Sequence, residues 1–341
     1  MTRFTFCLLL LSLFTSFTTA QDGYASQNGG TTGGKGGTTT TVSAAGAFQT
    51  AIKSDTPKTV YLKGPITLSS QAQIGNNTSI IGVGTTGIIN GGGLEIDRKS
   101  NVIIRNLVIN KVVGDDGITI QHGAHNIWID HNEFYSDLNH GFDYYDGQVD
   151  ITHASDYVTV SYNYFHDHYK EVTLTEEKKT LGNTILPSAF VLIVLLQLPS
   201  LRPSHLSHHN HWKNVHTRTP AMRFGHVHVY NNFLENVVSQ GIHSRSYNQV
   251  LIEGNVFSNS TEPGNVHVWF CDSGKDDSPA DPEGDFEPDG FANLGAANDF
   301  GGGRNNITAT GNFTTVSYEY SLTPLASVKA EVLANAGVGK I

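Results

Sequence analysis

The sequence predicts an all-β chain wound into a parallel β-helix, or solenoid. Three observations carry that expectation: short alternating aliphatic runs, a recurring asparagine, and few long helical patterns. The repeat is an aliphatic residue, another two later, Asn at plus five and a large apolar residue at plus seven. It occurs as Ile127, Ile129, Asn132, Phe134 and as Val158, Val160, Asn163, Phe165. It returns as Val227, Val229, Asn232, Leu234 and as Val250, Ile252, Asn255, Phe257. A weaker copy is Ile307, Ala309, Asn312, and Val102–Val108 has its Asn one place early, at Asn106. Alternating aliphatics turn one face of a short strand into a core. The Asn is expected in the turn that follows, where it tolerates a left-handed backbone and bonds locally. Stacking such units sets like above like. A β-sandwich also has short alternating strands, but it does not demand Asn at a fixed offset, so the solenoid is favoured.

The 341 residues allow one large domain or two modest ones. At the start, Arg3, the apolar run Phe6–Phe14 and the small residues Thr18, Thr19 and Ala20 have the form of a secretory signal peptide, too short to span a bilayer. Residues 1–20 are therefore read as a leader and 21–341 as a single domain, with the mature chain starting near Gln21. Cys7 leaves with the leader and Cys271 remains alone, so no intramolecular disulfide is available and a large core must supply stability. Sequons at Asn76, Asn77, Asn259, Asn306 and Asn312 agree with a secreted glycoprotein. Loss of Arg3 moves the formal charge from −10 to −11, which disfavours nucleic-acid partners. An acidic substrate would need a local positive site or a metal. By composition alone, the Gly- and Thr-rich residues 29–41 read as a linker.

The chemistry-bearing residues interrupt the repeat. Asp115 and Asp116 are followed by Asp143, Asp146 and Asp150, and the last two bracket the entrance to a strand beginning at Val149. Hard oxygen donors on adjacent coils suit Ca²⁺, although on spacing alone loop aspartates are more readily turn formers. Lys170 follows the run His166–Tyr169, and Arg218 and Arg223 stand just before a repeat strand. Two guanidinium forks on a rigid scaffold suit the carboxylates of a sugar acid.

These motifs bring a family resemblance. Gly29–Gly34, Asp116-Gly117-Ile118, Trp128-Ile129-Asp130-His131, Val149-Asp150-Ile151, Arg218-Thr219-Pro220 and Arg223-Phe224-Gly225 occur in order. Over roughly residues 22–172 and 208–341 the chain resembles polysaccharide lyase family 1, which contains the secreted pectate lyases, and most closely the fungal and oomycete-type members. The resemblance implies a right-handed parallel β-helix that cleaves de-esterified homogalacturonan by β-elimination with Ca²⁺. It matches the family's calcium ligands to Asp116, Asp146 and Asp150, with Asp115 a candidate extra ligand. It matches the catalytic arginine to Arg218 and the substrate-holding pair to Lys170 and Arg223. It places the Gly-rich stretch inside the catalytic domain rather than in a linker. Trp128–His131 is part of the family signature, but its alternation points to strand and turn. The expected partner is polygalacturonate, with no nucleic acid or membrane, and the expected state is a monomer.

The pattern breaks at about 172–207. Residues 189–201 are almost continuously apolar, too short for a membrane helix and without strand alternation. His209-Asn210-His211-Trp212 looks like another turn, yet His205 and Ser207 stand where aliphatics are expected, as though the preceding strand were overwritten. Lys170 and Arg218 are 48 positions apart, longer than the resemblance implies. The segment reads as a retained intron or shifted frame, or else as a genuine lineage-specific loop. Three other functions stay open. A polygalacturonase would use paired carboxylates as acid and base, a pectin lyase would act on methylated polymer, and a non-catalytic β-helix would only bind pectin.

Overall fold

The computed structural model describes residues 22–140, 144–168, 193–194, 203–266 and 289–341. The leader, Asp143, Lys170, Cys271 and the apolar run, apart from the backbone of Ile193–Val194, lie outside the described residues. Three parallel sheets of ten, eight and eight strands wrap one core. Among the described residues, eight coils each contribute one strand to every sheet in turn, and Thr38–Val42 and Phe291–Leu294 add to the first sheet alone. The coil holding His125–Asp130 in the first sheet continues through Glu133–Tyr135 in the second and Val149–Thr152 in the third. The fold is thus the parallel β-helix expected from the repeat, with the right hand that the family resemblance implies.

Register explains the repeat. In the first sheet one inward column runs Val102, Ile127, Val158, His205, Val227, Val250, Ala292. A second runs Ile104, Ile129, Val160, Ser207, Val229, Ile252. The plus-seven residues stack in the second sheet as Phe134, Phe165, Trp212, Leu234 and Phe257. Their first three rings lie parallel with centroids 4.9 and 4.3 Å apart, the spacing of adjacent strands.

The sequence expectation for the strand before His209 is corrected here. Ser204–His208 is a regular first-sheet strand paired on both sides. His205 is buried in an aliphatic column because its Nε2 bonds the Ser155 carbonyl at 3.0 Å. Ser207 takes the Asn210 amide at 3.2 Å. Buried polar groups are tolerated when bonded in this way. The Gly-rich stretch is no linker either. Thr32 and Gly33 donate backbone N–H groups to Asn101 Oδ1 at 2.6 and 2.7 Å, and Thr38–Val42 forms the first strand of the first sheet.

The asparagines form a ladder through Asn132, Asn163, Asn210, Asn232, Asn255 and Asn298. Each Oδ1 from Asn163 onward accepts the backbone N–H of the preceding rung, at 2.8–3.0 Å. Each Nδ2 donates to a carbonyl of the preceding coil, as Asn163 does to Ile129 at 3.0 Å. The left-handed residue is the one before each of the first five rungs: His131, Tyr162, His209, Asn231 and Gly254 have φ between 50 and 61°. The rung itself is not left-handed, contrary to expectation, because its amide must reach along the solenoid axis. Asn106 occupies that left-handed position (φ 60°), so the neighbouring Leu107 takes the rung's place, its N–H reaching Asn132 Oδ1 at 3.0 Å. Asn298, not Asn312, is the last rung.

Asn163→Ala strips partners from the Asn132 N–H and side-chain amide and from the Ile129 carbonyl, all buried. Each buried group left unpaired costs roughly 1–3 kcal/mol, so a loss of about 3–5 kcal/mol is expected in denaturant unfolding. Asn259→Ala, in an exposed row where the Asn259 side chain, among the described residues, bonds Asn236 Oδ1 at 2.9 Å, should cost under about 1 kcal/mol.

One end of the core is covered by a helix, and a second helix lies on the outer face of the second sheet. The helix Ala45–Lys53 lays Phe48 and Ile52 over the start of the core, which shields the end of the stack. The helix Leu325–Asn335 seats Val328 and Val332 against Phe233 and Val256. Of the sequons, Asn259 and Asn312 are exposed, Asn76 and Asn77 are half-buried, and Asn306 is buried.

Candidate functional site

The third sheet carries the sequence-predicted carboxylates. Asp116 stands just before Ile118–Gln121, Asp146 just before Val149–Thr152, and Asp150 on the latter strand. These strands are neighbours, with Thr119 paired to Asp150. Alternation explains the placement. Ile118, Ile120, Val149 and Ile151 turn into the core, so Thr119 and Asp150 face outward.

Gly147 is the focus of this cluster. Its N–H donates to Asp116 Oδ1 and to Asp146 Oδ1, both at 3.0 Å. A Cβ placed on it would collide with Asp150 Oδ1 and lie 2.8 Å from Asp116 Oδ1. Oxygens from all three aspartates therefore converge around one residue that lacks a side chain. Asp116 is held from behind, since Thr119 Oγ1 donates to its Oδ2 at 2.8 Å and Gln71 Nε2 donates to Thr119 Oγ1 at 2.6 Å. Burial, and then the negative charges of Asp150 and Asp146, push the Asp116 carboxyl well above the usual carboxylate range. Burial likewise raises Asp115, with Asp146 and Glu95 adding to it.

Among the described residues, no three His, Cys, Asp or Glu side chains already form a closed ligand group. The donor set nevertheless fits a hard cation. All the donors are oxygens, they share a cradle that a Cβ would fill, and their mutual repulsion is what a divalent charge relieves.

The basic half lies further along the same sheet. Arg218 precedes the strand Ala221–Arg223 and Arg223 ends it; this strand follows Ile193–Val194, itself paired to Val149–Thr152. Two coil spacings, roughly 10 Å, separate the Asp150 strand from the Arg223 strand. Arg218 is 3% exposed with φ 62°, a costly conformation for a residue with a Cβ. It is held there by its own N–H to the Gln240 carbonyl and by that of Thr219 to Gly241, both at 2.8 Å. Arg223 is also buried.

Sequence reasoning missed Arg245, fully buried and in register beside Arg223. The repeat period could have found it, since 22 residues past Arg223 lands on it. Gly147, Thr119 and Gln71 were also missed. Thr119 was within reach of strand alternation, while Gly147 and Gln71 have no local signal. Gln148 is buried with both side-chain polar atoms unpartnered among the described residues. Trp128–His131 sits on the first sheet, away from this cluster. There Trp128 packs with Ala25 and Ile103, and Asp130 accepts from Arg105 Nε and Ser161 Oγ, each at 2.7 Å.

Comparison with known proteins identifies the family. A family model described as pectate lyase matches residues 1–184 and 202–341. The chain is 43% identical over 318 residues to probable pectate lyase A of Neosartorya fischeri, covering 92% of this chain and 87% of that one. It is 41% identical over 322 residues to pectate lyase A of Aspergillus niger, covering 92% and 86%. The crystal structure of pectate lyase Bsp165PelA from Bacillus sp. N165 in complex with trigalacturonate superposes with a TM-score of 0.74 at 31% identity, covering 93% of this chain and 98% of that one. A β-helix with this carboxylate and arginine order, matched along nearly its whole length, belongs to the pectate lyase family of polysaccharide lyases.

Proposed function

We propose that the protein is a secreted, calcium-assisted pectate lyase that cleaves (1→4)-α-D-galacturonan with Arg218 as the base. One observation carries this reading: three aspartates meet at Gly147, and two buried arginines follow two coils later, counted through the first-sheet strands His125–Asp130, Asp156–Ser161 and Ser204–His208. The relative crystallised with trigalacturonate supports the same substrate class.

Asp116, Asp146 and Asp150 would hold Ca²⁺, and the bound ion would neutralise the uronate carboxylate and so acidify the C5 proton. The planar fork of Arg223 pairs with that carboxylate, and Lys170 adds a second positive charge. Arg218 in its neutral form takes the C5 proton. The electron pair released becomes the C4–C5 double bond, the C4–O4 bond breaks, and the departing oxygen is protonated. The products are a shortened chain and a 4,5-unsaturated uronide end. The scaffold's fixed geometry does much of the work, because Arg218 is locked through its backbone.

Two proton equilibria point the same way. Neutral arginine is scarce near pH 7 and grows more abundant with pH, since the ordinary pKa exceeds 12. Asp116, whose folded-state pKa is raised, must lose its proton before it can hold a cation. In the absence of metal, the stability this group contributes is present in acid and is lost as pH rises through its raised folded pKa. Activity is therefore expected to climb above neutrality. The thermal shift produced by calcium should grow from acid to neutral pH, compared with and without chelator. A rate maximum near pH 5 would count against Arg218 as base.

The decisive assay is calcium-dependent absorbance from unsaturated uronide on polygalacturonate, abolished by chelator. Saturated product ends would instead indicate a polygalacturonase. Preference for methylated polymer would indicate a pectin lyase, and binding without product a catalytically impaired binder.

We infer that residues 185–201 come from a retained intron or shifted frame. The family match omits those residues and resumes at 202, just before the regular strand Ser204–His208. Peptides covering Leu186–Arg202 in mass spectra of the secreted protein would overturn this.

A further inference from the structure

Two loops lead from the second sheet to the third and deliver the aspartates: 111–117 with Asp116, and a second, described at 136–140 and 144–148, with Asp146. They also carry three of the large apolar side chains that stand exposed: Val113 (49%), Leu138 (45%) and Tyr144 (40%). The loops are pinned together, since Val113 and Tyr145 form an antiparallel bridge and the Gly114 N–H reaches the Tyr144 carbonyl at 3.3 Å.

Tyr144 is mounted with some care. His140 stacks on one face of its ring with centroids 3.9 Å apart and planes 12° apart, and Tyr145 meets it edge-on at 4.8 Å. Asp137 holds both supports, accepting from His140 Nδ1 at 2.6 Å, from Tyr145 Oη at 2.8 Å and from the Asn139 N–H at 3.1 Å. Lys111 Nζ adds a charge contact from the other loop at 3.5 Å. A half-buried carboxylate hub with four partners fixes two aromatic rings so that a third remains exposed. Folding gains nothing from leaving that ring in water, since burying it would be favourable. The ring also stands two residues from Asp146.

We infer that Tyr144, backed by His140, is a stacking platform for a pyranose ring of the galacturonan chain, one subsite along from the carboxylate cluster. A pyranose presents an apolar C–H face that an aromatic ring can cover, while its hydroxyls and carboxylate remain in water. Exposed aromatics mounted at the edge of a polar cleft are suited to that role. His140 and Tyr145 are already bonded to Asp137, so little ordering cost is incurred at these supports on binding. This assignment rests on the galacturonan-binding reading of the site but not on the elimination chemistry.

The test is the affinity for pentagalacturonate by calorimetry in the presence of calcium, alongside steady-state kinetics on polygalacturonate. Tyr144→Ala is expected to weaken pentagalacturonate binding about 5–20-fold and to raise KM similarly with kcat within about twofold. Tyr144→Phe and Tyr144→Trp should bind as the native protein does, and His140→Ala should fall between. Unchanged affinity in a correctly folded Tyr144→Ala protein, judged by its near-ultraviolet dichroism, overturns the platform. So does an equal loss in Tyr144→Phe, which would point to the hydroxyl instead. If the native protein binds pentagalacturonate without forming unsaturated product, the lyase reading fails while the binding comparison still decides the platform. If the native protein binds none, both fail.

Discussion

Arg218→Lys is expected to lower the rate of unsaturated uronide formation by about 10²–10⁴-fold, the range associated with loss of a positioned general base. The substitution keeps the positive charge, so a purely electrostatic role would survive it. Position is what changes. The Arg218 backbone is fixed in a left-handed conformation by its bond to the Gln240 carbonyl and by the neighbouring bond from Thr219 to Gly241. The Cα cannot advance to compensate for the shorter side chain, and a lysine offers one point charge where the guanidinium offers a planar fork. A displacement of about 1 Å at the reacting atoms is enough to cost two orders of magnitude. Stopped-time absorbance on polygalacturonate measures the loss, and Arg218→Ala should be at least as impaired. An Arg218→Ala enzyme retaining more than about a tenth of native turnover would remove Arg218 from the base role and leave the calcium half of the site untouched.

Gly147→Ala is expected to raise the calcium concentration for half-maximal activity by about 10–100-fold, the range seen when the groups that orient metal ligands are disturbed. The added methyl group would collide with Asp150 Oδ1 and lie 2.8 Å from Asp116 Oδ1. Both are the ends of side chains, so they can swing aside without moving the backbone, and the fold is expected to persist. The penalty therefore falls on convergence of the ligands rather than on folding. Thermal unfolding of the chelated protein should change little, whereas the stabilisation produced by calcium should shrink with the weaker binding. A native calcium requirement in Gly147→Ala would exclude this cradle as the metal site.

The fold was legible in the chain to an unusual depth because a solenoid writes its geometry as a period. Neighbouring coils must place like side chains on like, so Ile127 over Val158 and Phe134 over Phe165 can be read from spacing alone. The same logic misled at the turn. A fixed offset identifies which Asn repeats, but not which of two adjacent residues carries the positive φ. That residue proved to be the one before the rung, which is why Asn106 falls out of the ladder and Leu107 enters it. His205 and Ser207 looked like damage because an aliphatic rule was applied to a core that accepts hydrogen-bonded polar groups.

The order of the site residues, Asp116, Asp146, Asp150, Arg218 and Arg223, was present in the sequence by itself, together with a family resemblance that named their expected roles. Composition and repeat were enough to determine the solenoid, because burial of an alternating face is a local requirement. Only the tertiary structure decided which atoms meet. Asp116 and Asp150 are 34 positions apart, yet their oxygens crowd one glycine because adjacent coils bring them together. Arg245 joins Arg223 through register, and Gln71 braces Thr119 across two coils. These contacts depend on how coils stack, and a linear chain records each coil without recording what lies above it.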